Sequence, residues 1–507
     1  MRLSENPKPS LFTRGCASGR MHSRRILFSL ALCWIALQPS AHAAEGWFEQ
    51  VKATATPAQL YRFLYAMPKG GDLHNHLPGA VRSEWFWDAA MAEEKRGYVY
   101  YTRVRIENCA PYGHNEFGPN KALLLFKDIQ GSSYAKLDEC GKSEFKRLQD
   151  LDAREKQAWL DSMRLDQPYE GRNEFFDAIW DRIGEMIRNP HLICDILLRN
   201  MQAFGEEGVV YLETQQGVEG ALRPDGSTYS VEEAVALYRE LLASPQSKAT
   251  GVEVRFQNSL LRFTPDAEQR LRELYAIVDR YRDLYVGVNM VGREDNDKGY
   301  PLRFLPVLRQ LRHQYPDINL SIHAGERDEP DRHVRDTLLL GAQRIGHGVN
   351  LISDPDTMLL MRYGPYLVEI NLISNLLLEY VGDYSQHPFP EYLRTGIPVA
   401  LSTDDRGMWD SNMSDEFFVA VKEFNLSWEE IVKLGRNSLQ YSFVDGATKQ
   451  RLLTGYNQRI AAFAQRFQKG GWASLSGVEP VSYGFLCRHY QVCLLPPEAQ
   501  VPGISSR

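Results

Sequence analysis

The stretch GDLHNHLPGA at residues 71–80 opens with the first of eight short apolar or alternating runs that have the length of a β-strand. The other seven are GVVYLETQ (208–215), VEVRFQNSLL (252–261), LYVGVNMVG (284–292), INLSIHAGE (318–326), RIGHGV (344–349), LVEINLIS (367–374) and IPVALSTDD (397–405). Amphipathic segments such as VEEAVALYRELLA and FLPVLRQLRHQY lie between them, with apolar residues three and four positions apart. Strand–helix alternation repeated eight times predicts a (β/α)8 TIM barrel.

Two regions fall outside this alternation. An insertion at about residues 92–167 follows the first strand and contains YVYYTRVRIEN, which alternates like a strand. Insertions at the C-terminal face of a barrel meet the active site, so we expect a small subdomain over the barrel mouth. The tail at about residues 469–507 is rich in Gly, Ser and Pro, which predicts irregular structure, and helical patterns within 414–468 complete the ring.

Length and charge limit the classes of function. The chain has 507 residues, a formal charge of −7 and 43% hydrophobic content, enough to bury a large core. That length fits two or three average domains, or one α/β barrel with insertions. The mild acidity, without a basic run or an aromatic RNA-binding motif, predicts no nucleic-acid partner.

The N-terminal region, residues 1–43, is predicted to be a signal peptide that leaves a mature chain of residues 44–507. Arg24 and Arg25 precede the apolar run ILFSLALCWIAL (26–37), and Ala41-His42-Ala43 fits a small-x-small cleavage site. The run is short for a membrane span, so we expect no stable membrane insertion after cleavage; an uncleaved anchor is the alternative. The long polar stretch before the run leaves both Met1 and Met21 open as the start.

Cysteine usage agrees with an oxidising compartment, and we expect a secreted or periplasmic protein. Cleavage removes Cys16 and Cys33 and leaves an odd number of cysteines, which cannot all pair internally. We predict the disulfides Cys109–Cys140 and Cys487–Cys493. Cys194 lies in the apolar pattern HLICDILL and is predicted to be a buried free thiol.

Polar residues collect at the C-terminal ends of several predicted strands, which converge on one mouth in a barrel. The segments are His74-Asn75-His76, His323-Ala324-Gly325-Glu326, Gly346-His347-Gly348 and Thr403-Asp404-Asp405.

Four of these side chains predict a metal site. His74 and His76 point to the same side of their strand because side chains alternate with period two. Together with His323 and Asp404 they provide three imidazoles and a carboxylate, a donor set for which zinc is the first candidate. The alternative is that these residues cap turns and satisfy buried backbone groups.

The segments MPKGGDLHNHLPGA, SIHAGE, RIGHGVNL and LSTDD resemble the four signature segments of the adenosine deaminase family, within the amidohydrolase superfamily. The match runs from about Met67 to the helices after Asp405. The leader, the large first insertion and the segment SIHAGERDEP to RIGHG resemble the secreted branch, the adenosine deaminase-related growth factors.

The resemblance implies specific roles for residues of this chain. It implies that one zinc ion is held by His74, His76, His323 and Asp404. It places the catalytic Glu326 beside purine N1 and the catalytic His347 near the zinc-bound water. It also places Asp405 near N7 and the backbone of Gly292 against the purine. The fourth predicted strand, LYVGVNMVG, contains neither the Lys nor the Glu expected of a bridged pair of metals, which favours a single ion.

The chemistry of aromatic deamination needs these groups. Zinc supplies hydroxide near neutral pH by lowering the pKa of its water. Addition of hydroxide at C6 breaks aromaticity, so N1 must gain a proton, which suits a buried Glu326 with a raised pKa. His347 can accept the proton of the water or stabilise the hydroxide.

Two positions depart from the family pattern. Pro78 stands where many members have an Asp that contacts the ribose, and Asn289 stands where an Asp is common. Proline offers neither a side-chain acceptor nor a backbone donor, so the sugar must be held differently. Glu170, Glu174 and Trp180, just after the insertion, are candidates by location only, and an ordinary amphipathic helix is the preferred interpretation.

We therefore expect zinc-dependent hydrolytic deamination of adenosine, and of 2′-deoxyadenosine, to inosine and ammonia. The predicted partner is a small purine nucleoside, and the sequence leaves the oligomeric state open. The alternatives are a deaminase of another 6-aminopurine nucleoside, a different mononuclear amidohydrolase, and a non-catalytic secreted binding protein on this scaffold.

Overall fold

The computed structural model describes residues 42–109, 124–296 and 298–494, so the predicted signal peptide lies outside the described residues except for its last two positions. The strands, numbered in chain order, are Gly70–His76 (β1), Tyr100–Arg103 (β2), Asp128–Gln130 (β3), Phe145–Arg147 (β4), Val209–Gln215 (β5), Glu253–Leu261 (β6), Tyr285–Val291 (β7), Asn319–Ala324 (β8), Arg344–His347 (β9), Leu367–Ile370 (β10) and Val399–Leu401 (β11).

Eight of these strands form one parallel sheet in the order β1-β5-β6-β7-β8-β9-β10-β11. The first and last strands meet where Asn75 bridges Asp404 in parallel register. There the Asp404 N–H donates to the His74 carbonyl at 2.9 Å, and the His76 N–H donates to the Asp404 carbonyl at 3.4 Å. The sheet therefore closes into the predicted (β/α)8 barrel, and it closes at residues of the predicted metal site.

The helices surround this sheet, and apolar side chains from both layers form the core. Several begin at sequence signals that are readable in advance, such as the capping boxes of Ser230 and Ser427. The α-helices are His42–Thr54, Pro57–Ala66, Ser83–Ala92, Gly131–Tyr134, Glu139–Ser143, Ala153–Asp161, Arg172–Glu174, Trp180–Ile183, Pro190–Glu206, Val231–Ala243, Pro245–Ala249, Ala267–Arg280, Leu305–Gln314, His333–Leu340, Pro355–Tyr363, Leu372–Leu377, Phe389–Thr395, Met413–Phe424, Trp428–Gln440, Gly446–Gly470 and Gly484–Tyr490. Short 3-10 helices span Glu93–Arg96, Leu148–Asp150, Met186–Arg188, Pro301–Phe304, Val349–Ser353, Tyr384–Gln386 and Gly471–Leu475, and Phe175–Ile179 is a π-helix.

Four predicted strands end two or more residues before their sequence patterns, and the run at 318–326 is the first of them, with its strand ending at Ala324. The run at 344–349 ends at His347, and the run at 397–405 pairs only over Val399–Leu401. His347 and Asp404 have positive φ values of 63° and 53°, so the backbone leaves the extended conformation there. The run at 367–374 ends at Ile370, because the Glu416 carboxylate accepts the N–H groups of Leu372 and Ile373 at 3.0 and 3.2 Å and starts a helix.

The insertion after β1 contains a small antiparallel sheet in the order β3-β2-β4. The predicted disulfide Cys109–Cys140 lies in this region. None of the described residues within 92–167 lines the cavity at the barrel mouth, whereas the segment that follows the insertion does. The part of the insertion that the structure describes therefore does not contribute to the wall of this cavity.

The part of the C-terminal tail that the structure describes is more regular than its composition predicted. Gly484–Tyr490 is helical, and the predicted disulfide Cys487–Cys493 joins this helix to the residues after it. The N–H groups of Gly484 and Phe485 donate to the side chain and carbonyl of Asp410 at 3.0 and 2.9 Å, which explains why the Gly-rich segment is ordered.

Cys194 is free as predicted, but it is half-buried rather than buried. Among the described helices, none combines the length and the apolar character that a membrane crossing needs.

Candidate metal centre and catalytic cavity

The structure brings His74, His76, His323 and Asp404 together at the C-terminal ends of the barrel strands. One donor atom from each residue lies within 4.8 Å of every other. Asp404 Oδ1 is 3.4 Å from His74 Nε2 and 3.3 Å from His76 Nε2, and the Nε2 atoms of His76 and His323 are 3.3 Å apart. The spacing fits donor atoms that surround one cation.

Hydrogen bonds on the outer side of the cluster orient its rings. His74 Nδ1 lies 2.8 Å from Glu369 Oε2, and His323 Nδ1 lies 3.1 Å from Asn289 Oδ1. Each ring therefore donates its Nδ1–H outward and directs the Nε2 lone pair into the cluster. His74 Nε2 and Asp404 Oδ1 are buried without a hydrogen-bond partner, as expected for atoms that bind a metal. The donor set therefore fits zinc.

Glu369 belongs to a buried charge network under the cluster. Arg344 Nε lies 2.7 Å from Glu369 Oε1, and Arg344 also donates to Glu213 at 2.6 Å. Although burial opposes ionisation of Glu369, Arg344 and His74 hold its pKa below the usual value. Glu369 is thus an ionised carboxylate that accepts a hydrogen bond from the Nδ1–H of His74. The sequence analysis missed this residue, for which the signal was a Glu inside the apolar run LVEINLIS.

Glu326 lies in the same cavity as the cluster, on the turn after β8. Burial raises its pKa well above the usual range, and the nearby carboxylates of Asp404 and Glu294 raise it further. Glu294 also fixes the turn, because it accepts the N–H groups of Gly325 and Glu326 at 3.2 and 2.8 Å. Burial thus favours the neutral carboxylic acid form of Glu326, which is the form that can donate a proton.

His347 faces Glu326, with 3.7 Å between His347 Nε2 and Glu326 Oε1. Burial lowers the pKa of His347 to about 3, so its ring is neutral. Its Nδ1 faces away from the cavity, 3.0 Å from Asn375 Nδ2. Gly346 leaves room for the ring of His74, because a Cβ at position 346 would collide with that ring.

The two predicted purine contacts also line this cavity. Asp405 is buried, its Oδ1 has no hydrogen-bond partner, and burial together with the neighbouring Asp404 raises its pKa. A Cβ at Gly79 would collide with this carboxylate, so the glycine of the LPG segment makes room for Asp405. Gly292 has a φ of 95°, and its carbonyl accepts from Arg262 Nη2 at 2.7 Å and Nε at 3.0 Å.

Arg262 also donates to the His323 carbonyl at 2.6 Å. This buried side chain therefore fixes a metal-site residue and the predicted purine contact together. Sequence reasoning missed it, although an arginine that directly follows an apolar strand run was the available signal.

The cavity has a volume of about 840 Å³ and is lined by all eight predicted site residues except the fully buried His74. Trp180 lines it, with its ring centroid 6.0 Å from that of His76, and Pro78 lies in the wall. Glu170 and Glu174 do not line it. Glu170 accepts the N–H groups of residues 166 and 167, and Glu174 pairs with Arg182, so both have local structural roles.

The sequence and the fold can now be compared with known proteins. The family model described as adenosine deaminase matches residues 147–458. Adenosine deaminase 2 of Homo sapiens is 24% identical over 449 residues, which cover 84% of this chain and 83% of that protein.

Two solved structures share the fold. The Arabidopsis ADAL complexed with IMP has a TM-score of 0.56 at 20% identity and covers 79% of this chain and 99% of its own. A cog1816 amidohydrolase with bound zinc from Burkholderia ambifaria has a TM-score of 0.58 at 18% identity and covers 82% of this chain and 96% of its own. Because the family model spans well over half of the sequence, the chain belongs to the adenosine deaminase family of the amidohydrolase superfamily and is a hydrolase of the deaminase type.

Proposed function

We propose that this enzyme deaminates adenosine and 2′-deoxyadenosine to inosine or 2′-deoxyinosine and ammonia. The observation that supports this most directly is the buried Glu326, whose pKa is raised by burial, in the cavity that also contains donor atoms of the metal cluster. Addition of water to purine C6 requires a proton at N1, and a neutral carboxylic acid provides one. A carboxylate of ordinary pKa would be ionised at neutral pH and could not donate.

One zinc ion is proposed to bind His74, His76, His323 and Asp404. When bound, zinc supplies an activated water by lowering its pKa towards neutrality. Glu326 donates its proton to N1 as water adds to C6, and His347 Nε2 lies 3.7 Å from Glu326 Oε1. Of the two protons of the added water, one is taken up by the amino group, which leaves C6 as ammonia, and the other returns to Glu326 as the C6 carbonyl forms, so that adenosine and water are converted to inosine and ammonia.

Asp405 and Gly292 are proposed to hold the purine. The raised pKa of Asp405 allows a neutral acid that donates to N7, which an ionised carboxylate could not do. The Gly292 backbone is held in place by Arg262 through the Gly292 carbonyl. The aromatic rings of Phe175, Phe176 and Trp180 provide an apolar wall for the rest of the substrate.

The charges that line the cavity favour a nucleoside over a nucleotide. Asp177, Asp181 and Asp266 line it in addition to the acids at the metal end. Arg270 and Arg293 also line it, and the Arg293 guanidinium is 2.6 Å from Asp295 and 3.2 Å from Asp177. A phosphate would add negative charge to an acidic cavity, so we propose a neutral sugar end for the substrate.

We also propose that the protein acts in the periplasm or outside the cell. The disulfides Cys109–Cys140 and Cys487–Cys493 support an oxidising compartment, as does the predicted signal peptide.

A substrate panel and one acid variant test the proposal. Purified zinc-loaded protein is given adenosine, 2′-deoxyadenosine and AMP, and ammonia release is measured. We expect kcat/KM for AMP at least about tenfold below that for adenosine. Glu326→Gln should lower kcat by at least about a hundredfold, while its zinc content stays unchanged.

Glu170→Gln is the matched control, because Glu170 lies outside the cavity, and we expect wild-type kcat. An active Glu326→Gln variant would contradict the assignment of the proton donor. A zinc-loaded wild type that releases ammonia from none of the three compounds would overturn the proposed function.

A further inference from the structure

Three buried side chains form a hydrogen-bonded series that ends at His347. His387 Nε2 lies 3.0 Å from Asn375 Oδ1, and Asn375 Nδ2 lies 3.0 Å from His347 Nδ1. His387 is 2% exposed, Asn375 0% and His347 1%. The three side chains are shielded from bulk solvent, so protein groups set the direction of each hydrogen bond.

A backbone N–H determines which atom donates and which accepts in this series of hydrogen bonds. The N–H of Phe389 donates to His387 Nδ1 at 3.1 Å, and a backbone N–H can only donate. His387 Nδ1 is therefore an acceptor. Burial keeps the His387 ring neutral, so its single proton is on Nε2 and is donated to Asn375 Oδ1.

The orientation of the Asn375 amide determines whether His347 Nδ1 donates or accepts a hydrogen bond. With Oδ1 accepting from His387, the Asn375 Nδ2 donates to His347 Nδ1; a flipped amide would set two donors against each other. Asn371 Nδ2 is a second amide donor, 3.3 Å from the same His347 nitrogen. His347 Nδ1 is thus an acceptor, and the proton of the neutral ring is on Nε2.

This tautomer is the opposite of the one found in the metal cluster. His74 donates from Nδ1 to Glu369 and directs an Nε2 lone pair into the cluster. His347 directs an Nε2–H towards Glu326 instead. Its ring centroid is 4.9 Å from that of His74 and 5.2 Å from that of His323, yet it has no Nε2 lone pair to bind a metal or to accept a proton.

We propose that His387 and Asn375 are positioning residues that hold His347 in the Nε2–H tautomer, so that His347 acts in the cavity as a hydrogen-bond donor. The catalytic part of this inference rests on the proposed function. The tautomer does not depend on it, since it follows from the contacts of residues outside the cavity.

The tautomer is measured on zinc-loaded protein labelled with 15N-histidine, by two-bond 1H–15N correlation. The signals of His347 are assigned by their loss in His347→Gln. We expect a protonated-type shift for Nε2 and an unprotonated-type shift for Nδ1. Asn375→Asp puts a carboxylate acceptor against Nδ1 and should reverse the two shifts.

His387→Gln is the conservative variant, because its amide can donate to Asn375 Oδ1 and should keep the wild-type shifts. His387→Leu removes the donor without adding charge, frees the Asn375 amide and should give a mixture of tautomers. His313→Gln, at an exposed helix position, is the matched control and should leave His347 unchanged. An Nδ1–H tautomer in the wild type would overturn the proposal, as would unchanged shifts in both Asn375→Asp and His387→Leu.

Kinetics test the role in the reaction. Asn375→Asp and His387→Leu should lower kcat by at least about tenfold with KM changed less than about threefold, and His387→Gln should restore most of the kcat. Equal losses in His387→Gln and His387→Leu would indicate a merely structural role and overturn the positioning role. A wild type with the expected tautomer but no turnover would refute the proposed function and leave the tautomer assignment standing.

Discussion

Substitution of Glu369 by Gln should weaken zinc binding without removing any of the four proposed ligands. Glu369 is fully buried and accepts from His74 Nδ1 at 2.8 Å and Ser321 Oγ at 3.1 Å, and its Oε1 is paired with Arg344, whose Nε lies 2.7 Å away. The amide of Gln has one acceptor oxygen where the carboxylate has two. Its NH2 group must therefore face either the His74 Nδ1–H or the Arg344 guanidinium, both of which are donors.

The expected loss of zinc affinity follows from the charged hydrogen-bond acceptor that His74 loses. Its ring no longer has a charged acceptor that fixes the tautomer and raises the basicity of Nε2, and loss of such a partner costs about 10- to 100-fold in metal affinity. This corresponds to about 1.4–2.8 kcal/mol of binding free energy. Arg344 keeps its 2.6 Å contact with Glu213, so we expect the barrel itself to fold.

Zinc affinity is measured by competition with a chromophoric chelator at neutral pH. Ser321→Ala is the matched control, because it removes a neutral donor from the same carboxylate, and we expect a change of less than about threefold. Equal zinc affinity in Glu369→Gln and wild type would refute the reasoning that Glu369 orients His74. If circular dichroism shows that Glu369→Gln is unfolded, Glu369 is needed for folding of the barrel rather than for metal binding.

Two further predictions concern stability. Lys69 is buried, and its Nζ donates to the carbonyls of Leu64 and Glu207 at 2.6 and 2.5 Å, at the C-terminal ends of two helices. Lys69→Met should lower the free energy of unfolding by about 2 kcal/mol in urea denaturation. The control Lys422→Met, at an exposed position, should change it by less than about 0.5 kcal/mol. Equal changes in the two variants would contradict a capping role for Lys69. Burial lowers the pKa of His387 from 6.5 to about 3, so between these values the unfolded chain binds more protons and stability falls as the pH falls. From pH 7 to pH 5 the wild type should lose about 2 kcal/mol more than His387→Gln, which cannot titrate, and parallel stability curves would show that His387 is protonated in the fold.

The metal cluster could be predicted from the sequence because its members follow a local rule. His74, His76, His323 and Asp404 are polar residues at the ends of apolar runs, and barrel topology alone brings such ends together. Glu369, Asn375 and His387 were missed because no local pattern shows what they contact, although Glu369 stands out as an acid inside an apolar run. Their partners lie 295, 28 and 12 positions away in the chain and are chosen by side-chain direction.

Strand ends were predicted poorly for a related reason. The pattern LVEINLIS looks like one continuous strand, yet Glu416, 44 positions away from Leu372, accepts the N–H of Leu372 and starts a helix there. The segment at 397–405 likewise stops pairing after Leu401, because Asp404 turns back to bond with the first strand. Apolar patterning shows which residues are buried, but tertiary hydrogen bonds decide where a strand ends.

The central claim is that a single zinc ion at this cluster supports deamination of adenosine. The most direct test removes the metal with a chelator, adds zinc back in steps, and follows the absorbance change as adenosine becomes inosine. We expect no turnover without metal and a linear recovery that reaches its plateau at one zinc ion per chain. Turnover that survives complete removal of the metal, or a fully zinc-loaded chain that leaves adenosine unchanged, would contradict the account.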